Sequence, residues 1–234
     1  MDARYHVEIT RQALAGRFDE TAMQAIIRAN LGQDKLTNLV GHPEIHFDAS
    51  AFEAGERYIA GQRQEAVAAL VKRADRPTAL VAFGRLLHGR QDFYAHSNWA
   101  ALWVAAHGGL ERCAPEQIEP CLYPLAVKGL VSGKGSVLHF LACRVPLYGR
   151  WHRRHLLPAD DHEAMNLDNP GRGPLFAFAV AAAVKHSRLE LEMLLRMLQR
   201  AGGTAVAQRM LSQVAASCVP VGIDPVCCPL PSPV

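Results

Sequence analysis

Several features that mark common protein classes are scarce in this chain. Aromatic side chains make up 7% of its 234 residues, and β-branched runs are short, which argues against a β-sandwich or a β-barrel. The longest apolar stretches, 175–184 and 100–106, fall well short of the roughly 20 residues that cross a bilayer. The excess of Lys and Arg over Asp and Glu gives a net charge of only +3. Charge alone therefore does not indicate a nucleic-acid-binding protein.

The cysteines and the first residues exclude further arrangements. None of the six cysteines forms a Cys-x-x-Cys pair, so the sequence indicates neither a zinc ribbon nor a disulfide framework. The N-terminus lacks the basic start and the apolar stretch of a secretory signal. We therefore expect a cytoplasmic protein without a transmembrane span.

What the chain does contain is typical of a helical protein. Half of its residues are hydrophobic, and their spacing predicts about seven helices in a single all-α domain over 1–216. A long helix is predicted to follow the capping residue Asp75, another to occupy 174–200, and one more 117–131. The Pro- and Cys-containing segment 217–234 is predicted to be an irregular tail.

Histidines are the compositional excess that points to chemistry, and three polar residues stand out by their spacing. His88, Asp92 and His96 are four residues apart, which places them within about 80° on one face of a helix. That face is otherwise apolar, and ionisable groups are costly to bury without a partner. A bound metal ion is a partner that would offset this cost.

Further candidate ligands lie on three other segments. His186 and Glu190 form a second pair at helical spacing, after a very apolar stretch that predicts a buried helix. An irregular loop supplies Asp34 and His46, and the first helix supplies His6. Either helical pair alone also fits an ordinary solvated pair or a core histidine. Together they favour a His/carboxylate site, without cysteine, of the kind that binds catalytic zinc, iron or manganese.

The string from Phe83 to Trp99, in which His-x3-Asp-x3-His is followed by Ser-Asn-Trp, resembles the central motif of the Het-C-like helical proteins. Those proteins are similar to bacterial zinc-dependent phospholipases C and to fungal single-strand-specific nucleases. The resemblance covers residues 4–200 in outline. Weaker matches surround this string in the order that the family has: His6-Val-Glu-Ile-Thr, Asn30 to Asp34 and His46-Phe-Asp48 before it, and His186-x3-Glu190 after it.

The resemblance implies a phospholipase C-like or nuclease-like fold with a central metal site between buried helices. It implies two or three Zn²⁺ ions, with iron or manganese as alternatives. The implied ligands are Asp34, His46, His88 and Asp92 for one ion, His96, His186 and Glu190 for the second, and His6 with the bridging Asp92 for a third.

The function implied by the resemblance is that of a metal-dependent phosphoester hydrolase. Two neighbouring ions would activate a water molecule for attack on a phosphodiester, and Asp34 would act as a ligand or as the general base. The substrate would be a phospholipid, at a membrane surface, or a nucleotide. The alternative is a non-catalytic, metal-stabilised helical interaction module of the Het-C type, because a fold does not guarantee a function.

Overall fold

A computed structural model describes residues 1–35, 38, 41–134, 142–143, 145–146, 148–158 and 160–211. The predicted tail, 217–234, lies outside these residues. The described part of the chain folds into ten α-helices joined by loops and short 3-10 turns. They are α1 (Ala3–Ala13), α2 (Glu20–Leu31), α3 (Pro43–His46), α4 (Phe52–Arg73), α5 (Arg76–His96), α6 (Trp99–Ala106), α7 (Tyr148–His155), α8 (His162–Met165), α9 (Leu175–Gly202) and α10 (Thr204–Leu211).

The central helix of the domain is α5. Asp75 caps its start by accepting a hydrogen bond from the N–H of Thr78, and Pro77 occupies the first turn, where its missing N–H costs nothing. Most of its side chains are buried, since α5 packs against α2, α4 and α9. The predicted helix after Asp75 is thus present, and its polar residues lie inside the domain.

Two glycines let neighbouring backbones approach α5 closely. A Cβ atom at Gly84 would lie 2.3 Å from the carbonyl oxygen of Ile26 in α2, and one at Gly89 would lie 2.9 Å from that of Ile45 in α3. Any larger residue would push these segments away. The two glycines therefore allow the backbone of Ile26 in α2 and that of Ile45 in α3 to lie directly against α5.

The second long buried helix is α9, which contacts α1, α4, α5 and α10. Its first half carries the apolar run that predicted a buried helix, and it ends at Gly202, close to the expected boundary. Although α9 has 28 residues, polar side chains recur along its second half. Within the described residues, no helix is both long enough and apolar enough to cross a membrane.

The prediction of a single all-α domain is confirmed, since the described residues contain helices and no strand. One predicted helix is wrong. Residues 117–131 form irregular structure with short 3-10 turns, because Pro120 and Pro124 cannot donate the hydrogen bonds that a helix requires. In the described part of the chain, isolated bridges tie Ser97 to Ser132 and Lys134 to Asp161, next to the end of α5.

Candidate metal centre

The predicted histidine–aspartate face of α5 lies in the interior of the domain. His88 and Asp92 are fully buried and His96 is 4% exposed. The 3-10 turn that follows α2 carries Asp34, and α3 carries His46. The structure therefore brings these five predicted ligands together, and His6 of α1 joins them at 3.2 Å from Asp92.

Four of these side chains direct their ligand atoms at one another. His46 Nδ1 lies 2.8 Å from Asp92 Oδ2 and 3.1 Å from His88 Nε2. His88 Nε2 lies 2.9 Å from Asp92 Oδ2 and 3.5 Å from Asp34 Oδ1. The four ligand atoms all lie within 4.8 Å of one another. Ligand atoms about 3.3–3.6 Å apart are what a tetrahedral site with bonds of about 2.0–2.2 Å requires, so the group has nearly the size of a metal site.

Three buried atoms of this group, His46 Nδ1, His88 Nε2 and Asp92 Oδ2, cannot all be satisfied by hydrogen bonds among themselves. If His46 Nδ1 and His88 Nε2 both carry protons, two N–H groups face each other at 3.1 Å. If only one carries a proton, the lone pair of the other faces the Asp92 carboxylate. A cation between the three atoms would bind all of their lone pairs, which is why this geometry is typical of a ligand set.

A chain of hydrogen bonds behind His88 fixes the orientation of its ring. Gln91 donates to Thr10 Oγ1 at 3.0 Å, and its Oε1 accepts from Asn30 Nδ2 at 3.1 Å. Asn30 Oδ1 is then left to accept from His88 Nδ1 at 3.3 Å. His88 Nε2 therefore points its lone pair at the site, as metal-bound histidines do. Burial lowers the pKa of His88 to about 3, so the ring stays neutral and able to bind a metal.

The other oxygen of Asp92 faces a second set of polar groups. His6 Nε2 is buried and lies 3.2 Å from Asp92 Oδ1, and it makes no hydrogen bond with any residue that the structure describes. His6 Nδ1 contacts Gln91 Oε1 at 2.7 Å. The amino group of Met1 lies 2.8 Å from Asp92 Oδ1 and 3.1 Å from Asp168 Oδ1. Burial would lower the pKa of this amine, but Asp92 and Asp168 outweigh burial and raise it to about 11.

Asp34 is the member of the group that faces solvent. Its side chain is 37% exposed, and partial burial together with the nearby Asp92 raises its pKa. A bound ion would therefore be reached from the Asp34 side. The assignment of Asp34 as a ligand or as a general base stays a prediction.

A second group of ligand atoms surrounds His96. Its Nδ1 lies 3.2 Å from Asp48 Oδ1, which also lies 2.9 Å from His162 Nδ1. Neither Asp48 nor His162 was predicted from the sequence as a metal ligand. Asp48 could have been predicted to lie near the site, because it is two residues after His46 in the sequence. His162 could not have been, because it approaches His96 only in the folded chain.

His186 and Glu190 lie in a different buried network. Glu190 Oε2 accepts from Arg63 at 2.6 Å and Oε1 accepts from Arg90 at 3.0 Å. The Tyr94 hydroxyl accepts a hydrogen bond from a backbone N–H and lies 2.6 Å from His186 Nδ1, to which it donates when that nitrogen carries no proton. The structure thus does not bring these two residues to His96, and their role as metal ligands is a prediction without geometric support.

The first part of the chain is similar to a known family. The family model described as the VWA7 N-terminal domain matches residues 2–106. Over 81 residues the chain is 38% identical to von Willebrand factor A domain-containing protein 7 of Homo sapiens, and 36% identical to the Mus musculus protein of the same name. The match covers 35% of this chain and 9% of the length of each relative. No solved structure matches the chain.

These findings overturn the resemblance to Het-C-like proteins and phospholipases C. No family model of either kind matches, and the string from Phe83 to Trp99 lies inside the segment that the VWA7 N-terminal domain matches. A motif on one helix specifies one face of that helix, and unrelated helical families can share such a face. The phosphoester hydrolase function and the Het-C-type module rested on this resemblance, and both assignments are wrong.

Proposed function

We propose that this chain is a metal-binding helical domain that holds a divalent transition-metal ion between α5, α3 and the turn after α2. The ligands are Asp34, His46, His88 and Asp92. The observation that carries the proposal is the triangle formed by His46 Nδ1, His88 Nε2 and Asp92 Oδ2, with sides of 2.8–3.1 Å.

The donor set decides the class of ion. Two imidazole nitrogens and two carboxylate oxygens suit zinc, iron or manganese, whereas calcium and magnesium favour oxygen ligands alone. Three of the four ligands are buried, which shields the ion, and Asp34 lies on the solvent side.

Burial supplies a further argument for a metal. Burying two imidazoles against a carboxylate is costly unless their polar atoms have good partners. The hydrogen bond to Asn30 orients His88 from behind but leaves the atoms in the triangle facing one another. An ion would remove this cost and link helices that are distant in sequence, so that binding energy becomes folding energy.

The test is to measure metal content and stability together. We expect the full chain, dialysed against a chelator and titrated with Zn²⁺, Fe²⁺ or Mn²⁺ in separate experiments, to bind at least one ion. At a free-ion concentration about 100 times the dissociation constant, the ion would add about 2.7 kcal/mol to the free energy of unfolding. Elemental analysis and thermal unfolding measure the two effects.

His88→Gln should abolish both the binding at this site and its stabilisation. The matched control is His107→Gln, because His107 is exposed and contacts Trp103 rather than any candidate ligand. The proposal is wrong if His88→Gln binds as many ions as the wild type and is stabilised equally by them.

A further inference from the structure

A second group of metal-binding side chains, Asp48, His96 and His162, lies beside the first. Asp48 Oδ1 is 3.2 Å from His96 Nδ1 and 2.9 Å from His162 Nδ1. The two imidazole rings are in edge contact, with their centroids 4.4 Å apart. One ligand atom from each residue lies within 4.8 Å of the others.

Backbone hydrogen bonds hold the segments that carry these residues in place. Gly133 joins two of them, since its carbonyl accepts from Ala49 at 2.8 Å and its N–H donates to the carbonyl of His96 at 3.2 Å. Lys134 accepts from the N–H of His162 at 3.0 Å. A Cβ atom at Gly133 would lie 2.5 Å from the Cα of His162, so the approach requires glycine. The arrangement of the three side chains is therefore set by the fold.

The loop that presents Asp48 is unusually strained. Phe47, Ala49 and Ser50 have φ angles of 56°, 53° and 55°, which non-glycine residues adopt at a cost. Ser132 supports this backbone, because its hydroxyl donates to the Phe47 carbonyl and accepts from the Ser50 N–H. The strained conformation aims the Asp48 carboxylate at the two histidines.

The protons within this group could be replaced by a cation. Asp48 Oδ1 can accept hydrogen bonds from both Nδ1 atoms only if both carry protons. His96 Nδ1 also lies 2.9 Å from the backbone carbonyl oxygen of His46. An ion that displaced these protons would be bound by two imidazole nitrogens and one carboxylate oxygen. The side chains of Asp48 and His162 are 21% and 22% exposed, so the position is open to solvent.

From this geometry we propose a second divalent cation site, with Asp48, His96 and His162 as its side-chain ligands. Two imidazoles among three ligands favour a transition metal such as Zn²⁺ or Co²⁺ over Ca²⁺ or Mg²⁺. The second site goes beyond the proposed function, because it shares no side chain with the first. Either site can therefore exist without the other.

The test is a titration of the metal-free full chain with Co²⁺, whose visible absorption reports the number and type of its ligands. We expect two equivalents to bind to the wild type and one to Asp48→Asn or His162→Gln. His88→Gln should keep the equivalent that is lost in His162→Gln. His107→Gln should bind two equivalents like the wild type.

The outcomes separate the second site from the first. If Asp48→Asn and His162→Gln bind as many equivalents as the wild type, the second site is wrong, while loss of one equivalent in His88→Gln would still support the first. If the wild type binds one equivalent that His162→Gln loses and His88→Gln retains, the second site stands and the first is wrong.

A measurement on the wild type covers the case in which these variants do not fold. In an NMR titration with the diamagnetic ion Zn²⁺, the imidazole signals of His96 and His162 should shift together, in a step separate from those of His46 and His88. Signals of His162 that stay unchanged at saturation would overturn the second site.

Discussion

Two buried histidine–carboxylate pairs with identical spacing behave differently in this fold. His88 and Asp92 on α5 face other ligand atoms at distances of 2.8–3.5 Å. On α9, His186 and Glu190 lie 3.9 Å apart, and each is bonded to other residues of the protein. The two pairs have the same spacing along their helices. The side chains that neighbouring helices place around each pair decide whether it is available to bind a metal.

Arginines make the difference at Glu190. Arg90 and Arg63 together bond both of its carboxylate oxygens, and Arg90 also pairs with Glu56 at 2.5 Å. Two positive and two negative groups thus balance one another across α4, α5 and α9. Within the described residues, the ion-pair partners of Asp92 are histidines and the amino group of Met1, and none of them is an arginine. The Glu190 carboxylate, with both oxygens bonded to arginines, stabilises the fold. The Asp92 carboxylate faces imidazoles and is available to a metal.

The largest expected effect comes from removing one arginine from the buried ion-pair network around Glu190. Arg90→Gln would leave Glu190 and Glu56 without their shared cation, and removal of one partner from a buried ion pair costs about 3–5 kcal/mol. Chemical denaturation should show this loss. The control is Arg57→Gln, which removes an exposed pair with Glu53 that is worth about 0.3–0.5 kcal/mol. Similar losses in the two variants would show that the buried network does not support the fold as argued.

A smaller effect is expected from moving the backbone that carries His46. Gly89→Ala would place a methyl group against the Ile45 carbonyl, and overpacking of this kind costs about 1–3 kcal/mol. Because His46 follows Ile45, affinity for the first ion should fall as well. Calorimetric titration with Zn²⁺ measures the affinity.

Gly61→Ala in α4 is the matched control for this prediction. A Cβ atom there meets nothing within 4 Å, so alanine should stabilise the helix by about 0.5–1 kcal/mol and leave metal affinity unchanged. If Gly89→Ala retains wild-type affinity, the close approach of α3 does not position His46.

The contrast between the two pairs also shows how much of the fold and of the site could be predicted from the sequence. Caps, prolines and apolar spacing act within a few residues, so the all-α fold and the face of α5 were predictable. Arg90 and Arg63 are 100 and 127 positions from Glu190, and no local pattern reports that they meet it. His162 approaches Asp48 across 114 positions, for the same reason. The motif on α5 suggested a family that the comparisons reject, because it described one helix face and not its neighbours.

The smallest expected effect concerns pH and His186. Burial first, and then the nearby Arg90 and Arg63, hold the pKa of His186 well below its usual value of 6.5. In the unfolded chain this residue takes up a proton as the pH falls below 6.5, whereas in the folded chain it stays neutral. The unfolded state then binds more protons, so His186 makes the protein less stable as the pH falls, by up to about 1.4 kcal/mol per pH unit.

His186→Gln isolates this contribution, since glutamine can still accept the hydrogen bond from Tyr94 and does not titrate. The free energy of unfolding, measured from pH 7.5 to 5 in metal-free buffer, should fall less steeply in the variant than in the wild type. Above pH 7.5 the two slopes should coincide, because His186 is then neutral in both states. Parallel curves over the whole pH range would mean that His186 takes up its proton in the folded protein as readily as in the unfolded chain. It would then be wrong that burial and the Tyr94 hydroxyl keep His186 neutral.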